Sequence, residues 1–163
     1  MNAMTHFQSQ RSLQRSRGFT LIEMMVVISI AAILAGTSVS SFVWLNQSTQ
    51  IRGASFDLIA DLNFARSEAV KRNGDIVVAP RNGTWINGWT VVAAGTVLRS
   101  RDAVGAQVGF NAAPATLTFD AAGRASLGTV GNFQICPPPG GSVSGRTVRL
   151  DPSGLSRSSK TSC

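Results

Sequence analysis

The chain has 163 residues but one histidine, two cysteines and eight acids. Each scarcity narrows the chemistry open to it. The histidine is His6, close to the N-terminus, in a segment that a cut beyond it would remove. The mature chain is then expected to lack the histidine needed for a Ser-His or Cys-His pair or a histidine-bound metal. Neither standard spacing of a phosphate-cradling glycine loop occurs. Beyond Glu23 the acids form no close pair except on a helix face, where Asp57 and Asp61 are expected to face solvent. A lone cysteine pair with no neighbouring histidine is poor zinc spacing. No catalytic residue, metal or cofactor is expected.

Proline is missing before residue 80, and 12 of the 16 glycines also fall beyond that point. The first half therefore reads as unbroken helix, and the second as turns and short strands. Charge is missing between Glu23 and Arg52. Within that gap Met24 to Leu45 gives 22 mostly apolar residues, about 33 Å of helix, which matches the hydrocarbon core of a bilayer. Arg11, Arg15 and Arg17 precede it with no acid among them. That bias predicts one span, with the N-terminus in the cytoplasm and everything after about Leu45 outside.

A cleaved secretory signal would have a shorter apolar centre, ending at a small-residue site. Here the run is longer and the small residue, Gly18, comes first. Glu23 sits just inside the run, where a buried charge costs about 2.5 to 3.5 kcal/mol near a span's centre and less near its end. If the chain is cut between Gly18 and Phe19, the helix is kept and a new α-amino group appears at Phe19. Glu23 of one copy would then neutralise the amine of a neighbour, close to a helix N-terminus that also favours an acid.

Gly18-Phe19-Thr20-Leu21-Ile22-Glu23 resembles the prepilin cleavage and methylation motif of type IV pilins and type II secretion pseudopilins. The resemblance implies that prepilin peptidase cuts after Gly18, that Phe19 is N-methylated, and that Glu23 guides docking into a filament. Leu62 to Val70 is similar to the "ARSEA" segment of the GspH/FimT group of minor pilins and pseudopilins. The implied fold is α+β and type IV pilin-like: a long N-terminal helix, half transmembrane and half amphipathic, packed against a small, mainly antiparallel sheet head.

Past the span, Ile51, Ala54, Leu58, Leu62, Ala65 and Ala69 recur at spacings of three and four, one apolar stripe for the sheet to cover. Lys71 and Arg72 suit a last turn and Asn73-Gly74 a C-cap. Helix is predicted from near Phe19 to about Arg72, roughly 80 Å long. Gly36 and Gly53 would loosen it at about 1 kcal/mol each. The expected regions are a leader over 1–18, a transmembrane and filament-core helix over 19–45, its amphipathic continuation over 46–73, and a β-rich head over 74–163.

Strands are predicted at Ile76–Ala79, Gly88–Ala93, Val97–Arg99, Val108–Phe110, Thr116–Phe119, Phe133–Cys136 and Thr147–Leu150. Two segments, from Phe119 and from Leu150, share an apolar-Asp-x-x-Gly pattern that predicts two similar tight turns. Trp85 and Trp89 flank Asn87-Gly88 and are expected in core or turn packing. Cys136 and Cys163 fall on the exported side, where a disulfide is expected. It would close about 28 residues and contribute about 3.5 kcal/mol in the chain-entropy account.

Without the leader arginines the chain keeps 12 basic and 8 acidic residues. Arg146, Arg149, Arg157 and Lys160 face only Asp151 in the last stretch, a candidate contact for double-stranded DNA, against the plainer role of solvated surface. Some FimT-like pilins bind DNA during natural transformation through a G-R-x-R motif near the C-terminus. The nearest segments here depart from it: Gly145-Arg146-Thr147-Val148-Arg149 has one residue too many, and Gly154-Leu155-Ser156-Arg157 has leucine for the first arginine. In a strand, Arg146 and Arg149 would also point to opposite faces.

The resemblance implies a minor pilin that contributes to pilus assembly and its initiation, near the tip in the company of major and minor pilins. Such a subunit waits in the inner membrane with its head in the periplasm. Two alternatives stay open: a DNA-binding minor pilin for DNA uptake, and a minor pseudopilin of a type II secretion system.

Overall fold

The structure is a computed structural model that describes residues 18–127, 131–139, 141 and 143–163, without the side chains of 37–41 and 127. Arg11, Arg15 and Arg17 of the expected leader therefore lie outside the described residues, as do the side chains of 37–41 within the expected span. Two compact units divide the chain after Val39.

The first helix, α1, runs Leu21–Arg72. Thr20 starts it: its carbonyl accepts the N–H of Met24 at 3.2 Å, and its hydroxyl oxygen accepts the N–H of Glu23, also at 3.2 Å. Thr-x-x-Glu is the sequence of a capping box, and the bond made here is its threonine half. The helix stops as the Asn73-Gly74 pair suggests. Asn73 turns to a positive φ of 50°, Gly74 N–H reaches back to the Ala69 carbonyl at 3.1 Å, and Asn73 N–H to that of Val70 at 3.3 Å. This is a Schellman closure, which satisfies carbonyls the helix would leave orphaned.

In the first unit every large apolar side chain from Leu21 to Leu34 is exposed, from 48% at Met24 to 79% at Leu21. A helix apolar on all sides is one that something else must cover. Among the described residues no helix is long and apolar enough to cross a membrane. The described apolar stretch stops at Gly36, because the side chains of 37–41 fall inside the expected span.

Among the described residues of the second unit nine strands form two antiparallel sheets, where the sequence suggested one small sheet. They are β1 Ile76–Pro80, β2 Trp89–Ala93, β3 Thr96–Ser100, β4 Gly109–Ala112, β5 Leu117–Phe119, β6 Ala125–Leu127, β7 Asn132–Cys136, β8 Gly145–Leu150 and β9 Ser156–Thr161. The five-stranded sheet has the order β3-β2-β1-β5-β6, and the four-stranded sheet the order β4-β7-β8-β9. Both turn their apolar faces to the α1 stripe, in one core with Ile51, Leu58, Leu62, Ala65 and Ala69. Trp89 is 1% exposed and Trp85 6%. Trp85 donates its indole N–H to the Pro114 carbonyl at 2.7 Å and meets Phe133 edge-on, 4.8 Å between ring centres.

The paired Asp-x-x-Gly turns stitch the two sheets together. Gly123 N–H bonds the Asp120 carbonyl and Gly154 N–H that of Asp151, each at 2.8 Å. Both glycines have a positive φ, 72° and 81°, which side-chain-bearing residues rarely adopt. The turns close the β5–β6 and β8–β9 hairpins and touch, since Ala125 N–H reaches the Pro152 carbonyl at 3.1 Å. Arg66 on α1 holds this junction by donating from Nε to the Gly123 carbonyl at 3.1 Å. The segment Ala65 to Ala69 thus packs its two alanines in the core and extends its arginine to the hairpin turns. Its Glu68 accepts from Arg72 Nε at 2.7 Å and from Lys71 Nζ at 3.5 Å. The Arg72 hydrogen bond, outweighing partial burial, holds that carboxyl below the usual range.

Cys136 and Cys163 form a disulfide, with Cα atoms 5.9 Å apart. It fixes the last residue to β7. A Cβ on Gly145 would overlap the Cys163 sulfur and lie 2.6 Å from the Ile135 carbonyl. The glycine of Gly145-Arg146 is therefore demanded by the disulfide packed on it.

Candidate functional site

Three places carry chemistry: the chain before α1, a carboxylate between the helix and a sheet, and the basic β8–β9 hairpin.

At the first, Gly18 and Phe19 precede the helix, and the Phe19 side chain is 72% exposed. A Cβ built on Gly18 meets nothing within 4 Å. Nothing in the fold itself calls for glycine there. Glu23 lies exposed in the first helical turn, its backbone N–H taken by Thr20. The Thr20 cap was legible as Thr-x-x-Glu, although sequence reasoning did not use it.

The second place corrects an expectation. Asp61 does not face solvent; its side chain is fully buried. One oxygen, Oδ2, accepts from the Trp89 indole at 2.9 Å and from Arg101 Nε at 3.1 Å. The other, Oδ1, accepts from Arg99 Nη1 at 2.8 Å and Arg101 Nη2 at 3.2 Å. Burial alone would raise this carboxyl, but the bonds from Arg101, Arg99 and Trp89, with the Arg101 charge, outweigh it and hold the group below its ordinary value. Arg101 is correspondingly pushed up, chiefly by its bond to Asp61. Arg99 also lies 4.0 Å over the Phe64 ring. Asp57, one turn earlier, is half-exposed and only 3.4 Å from Arg101. Every lone pair of Asp61 is engaged and no open position remains, so the cluster anchors α1 to the five-stranded sheet rather than offering a site.

The third place divides the candidate DNA contacts. In the β8–β9 register Arg146 pairs with Lys160, and Arg149 with Arg157. Directly paired residues share a face, and positions three apart take opposite faces. Arg146 and Lys160 therefore lie on the face that carries the buried Val148 and Leu150, toward α1. There Arg146 donates to Ser158 Oγ at 3.2 Å, and Ser158 meets Ser55 of the helix at 2.9 Å. Arg149 and Arg157 lie on the outer, exposed face. The four cations form two pairs and no single surface. Like charges placed directly opposite are destabilising, and no ion pair relieves either pair among the described residues. Among these residues no group of acids, histidines and cysteines could hold a metal ion.

A capped N-terminal helix laid on antiparallel sheets, with a glycine-phenylalanine junction ahead of it and a glutamate in its first turn, is the architecture of type IV pilins. The model of the prokaryotic N-terminal methylation motif matches residues 13–39. That of the type II transport protein GspH matches residues 54–154, more than half of the chain. The chain belongs to the GspH family. Its structure is similar to crystal structures of the type IV minor pilin FimU of Pseudomonas aeruginosa strain PAO1. The likeness is 27% identity and TM-score 0.51 over 66% of this chain and 91% of that one in one crystal form. In a second form it is 26% and 0.54, over 69% and 90%. No curated protein matches the chain.

Proposed function

We propose that the protein is a minor pilin of a type IV pilus, processed by prepilin peptidase and contributing to assembly and its initiation, with its head near the tip. The observation that carries this is the first unit. A helix capped at Thr20 exposes apolar side chains all round, and it starts where a cut after Gly18 would leave it intact. Such a helix needs lipid first and neighbouring helices later, which is the life of a subunit passing from inner membrane to filament. Phe19 becomes the methylated N-terminus, and Met24 to Leu45 is the span. The open space around Gly18 favours its being read by a peptidase. A Gly18→Trp chain should stay at precursor mass in the membrane, as read by intact mass spectrometry. Normal processing of that variant would remove the cleavage assignment. The GspH match keeps a second machine in view, a type II secretion pseudopilus, in which the same helix and head would serve a periplasmic filament.

The exposed like-charge pair supports a second reading, DNA contact. Arg149 and Arg157 lie side by side on the outer face of an edge hairpin, a simple phosphate-binding arrangement. Binding of a DNA duplex by the mature chain should fall steeply between low and moderate salt. It should be lost in Arg149→Gln/Arg157→Gln and kept in Arg146→Gln/Lys160→Gln. Equal loss in both variants would mean charge alone, not this face, draws DNA. Without duplex binding at low salt, the outer pair serves only to keep β9 from pairing with other edges.

A further inference from the structure

We propose that the cavity between Trp44 and the β8–β9 hairpin holds the phosphate of an anionic glycerophospholipid, and so fixes the head on the membrane surface before the subunit leaves for a filament. The inference rests on the reading of Met24 to Leu45 as a membrane span.

The cavity measures about 110 Å³ and is walled by Trp44, Ser48 and Arg52 from α1 and by Arg146 and Lys160 from the hairpin. Trp44, Ser48 and Arg52 follow one another at intervals of four, so they share one helix face. Three cations meet there, and the lining contains no acid. Among the described residues none of the three forms an ion pair. Arg146 has its bond to Ser158 at 3.2 Å and lies 5.9 Å from the Phe56 ring. Arg146 and Lys160 are also direct cross-strand partners, an arrangement that costs stability unless an anion lies between them. Guanidinium groups take phosphate oxygens in pairs.

Position selects the source of that phosphate. Trp44 is the last residue but one of the apolar run, and it is 49% exposed. An indole at the end of a span settles at headgroup level, with its apolar body toward the chains and its N–H toward water. Arg52 lies two helical turns further on, within reach of the headgroups because a long side chain can extend back along apolar surface to place its charge there. The cavity therefore opens where lipid phosphates are dense, and cations near a membrane surface are attracted to anionic headgroups there. The outer pair, Arg149 and Arg157, has no such neighbour.

The test uses the full mature chain in neutral detergent, with bound lipid read by native mass spectrometry. Short-chain phosphatidylglycerol and phosphatidylcholine are offered in turn, and inorganic phosphate and a DNA duplex serve as competitors. Wild type should retain phosphatidylglycerol at least about tenfold better than phosphatidylcholine, given the contribution expected of several cations near a headgroup. Arg52→Gln/Lys160→Gln should lose that preference, and Arg149→Gln/Arg157→Gln should keep it. All four substituted residues, Arg52, Arg149, Arg157 and Lys160, are exposed, so neither variant disturbs the core. Equal retention of the two lipids, or equal loss in the two variants, overturns the site. Displacement by inorganic phosphate overturns the lipid in favour of a free anion, and displacement by the duplex in favour of nucleic acid. Alkaline washing of membranes reads the span separately. A chain that stays in the pellet without lipid preference sinks the site alone; a chain that washes out sinks the span.

Discussion

Asp61→Ala is expected to cost the head about 3 to 5 kcal/mol, the usual loss when one partner of a buried ion cluster is removed. The size follows from what stays behind. Asp61 has no exposed surface, and its removal leaves the Trp89 indole N–H, 2.9 Å from Oδ2, without an acceptor in the core. Arg99 and Arg101 lose the carboxylate that engages both of them, at 2.8 Å and 3.1 Å. Asp57→Ala, by contrast, breaks one half-exposed pair and should cost under about 1 kcal/mol. Chemical denaturation of the two variants measures the difference.

The same group sets a pH dependence. Asp61 is held below the ordinary aspartate value. The native state therefore binds fewer protons here than the unfolded chain. Its contribution is complete above about pH 3.9, the unfolded value, and drains away as pH falls through the lower folded value. Asp61→Asn keeps the shape but cannot ionise, so its stability should be lower at neutral pH and flatter across that acid window. An acid limb as steep as in wild type would assign the dependence to other carboxylates.

Glu23→Ala is expected to be processed like wild type and to be missing from filaments. Nothing in the fold depends on this side chain, since the cap at the helix start uses the Glu23 backbone N–H and the Thr20 hydroxyl. Once the helix is surrounded by lipid or other helices, however, an unpartnered carboxylate is costly, and in the proposed filament a neighbour's Phe19 amine would offset it. On the proposed reading, removing the acid takes away the interaction that would set one subunit's axial position against the next. Immunoblots of membrane and sheared-filament fractions separate the two steps; wild-type levels in filaments would refute this role.

Much of the fold could be read in the sequence because it rests on local signals. The α1 stripe, the Asn73-Gly74 stop and the two Asp-x-x-Gly turns are all short-range patterns with steric causes, and the structure has each of them. Seven strands lie within a residue or two of their predicted places. The two that were missed are short or polar. β6 has three residues, and β9, Ser-Arg-Ser-Ser-Lys-Thr, lacks apolar alternation because it is an edge strand paired on one side only. The division into two sheets was not legible because it is set by which strands pair over long range, and no local pattern records that.

Asp61 is more instructive. It falls three residues after Leu58 and four before Ala65, on the buried stripe by spacing, yet its charge argued for solvent. Its partners Arg99 and Arg101 are 38 and 40 residues away, and no local pattern announces a long-range ion cluster. Similarly, Arg146 and Arg149 could be sent to opposite faces by parity, but the pairing of each with a β9 cation needed the β8–β9 register. Gly145 could not be explained until the disulfide was found against it.

The measurement that bears most directly on the protein as a processed filament subunit is the intact mass and N-terminal sequence of the chain recovered from sheared filaments. A chain beginning at N-methylated Phe19, with the Cys136–Cys163 bond closed, is the predicted result. A chain that begins at Met1, or one confined to the membrane while other pilins are recovered, would contradict it.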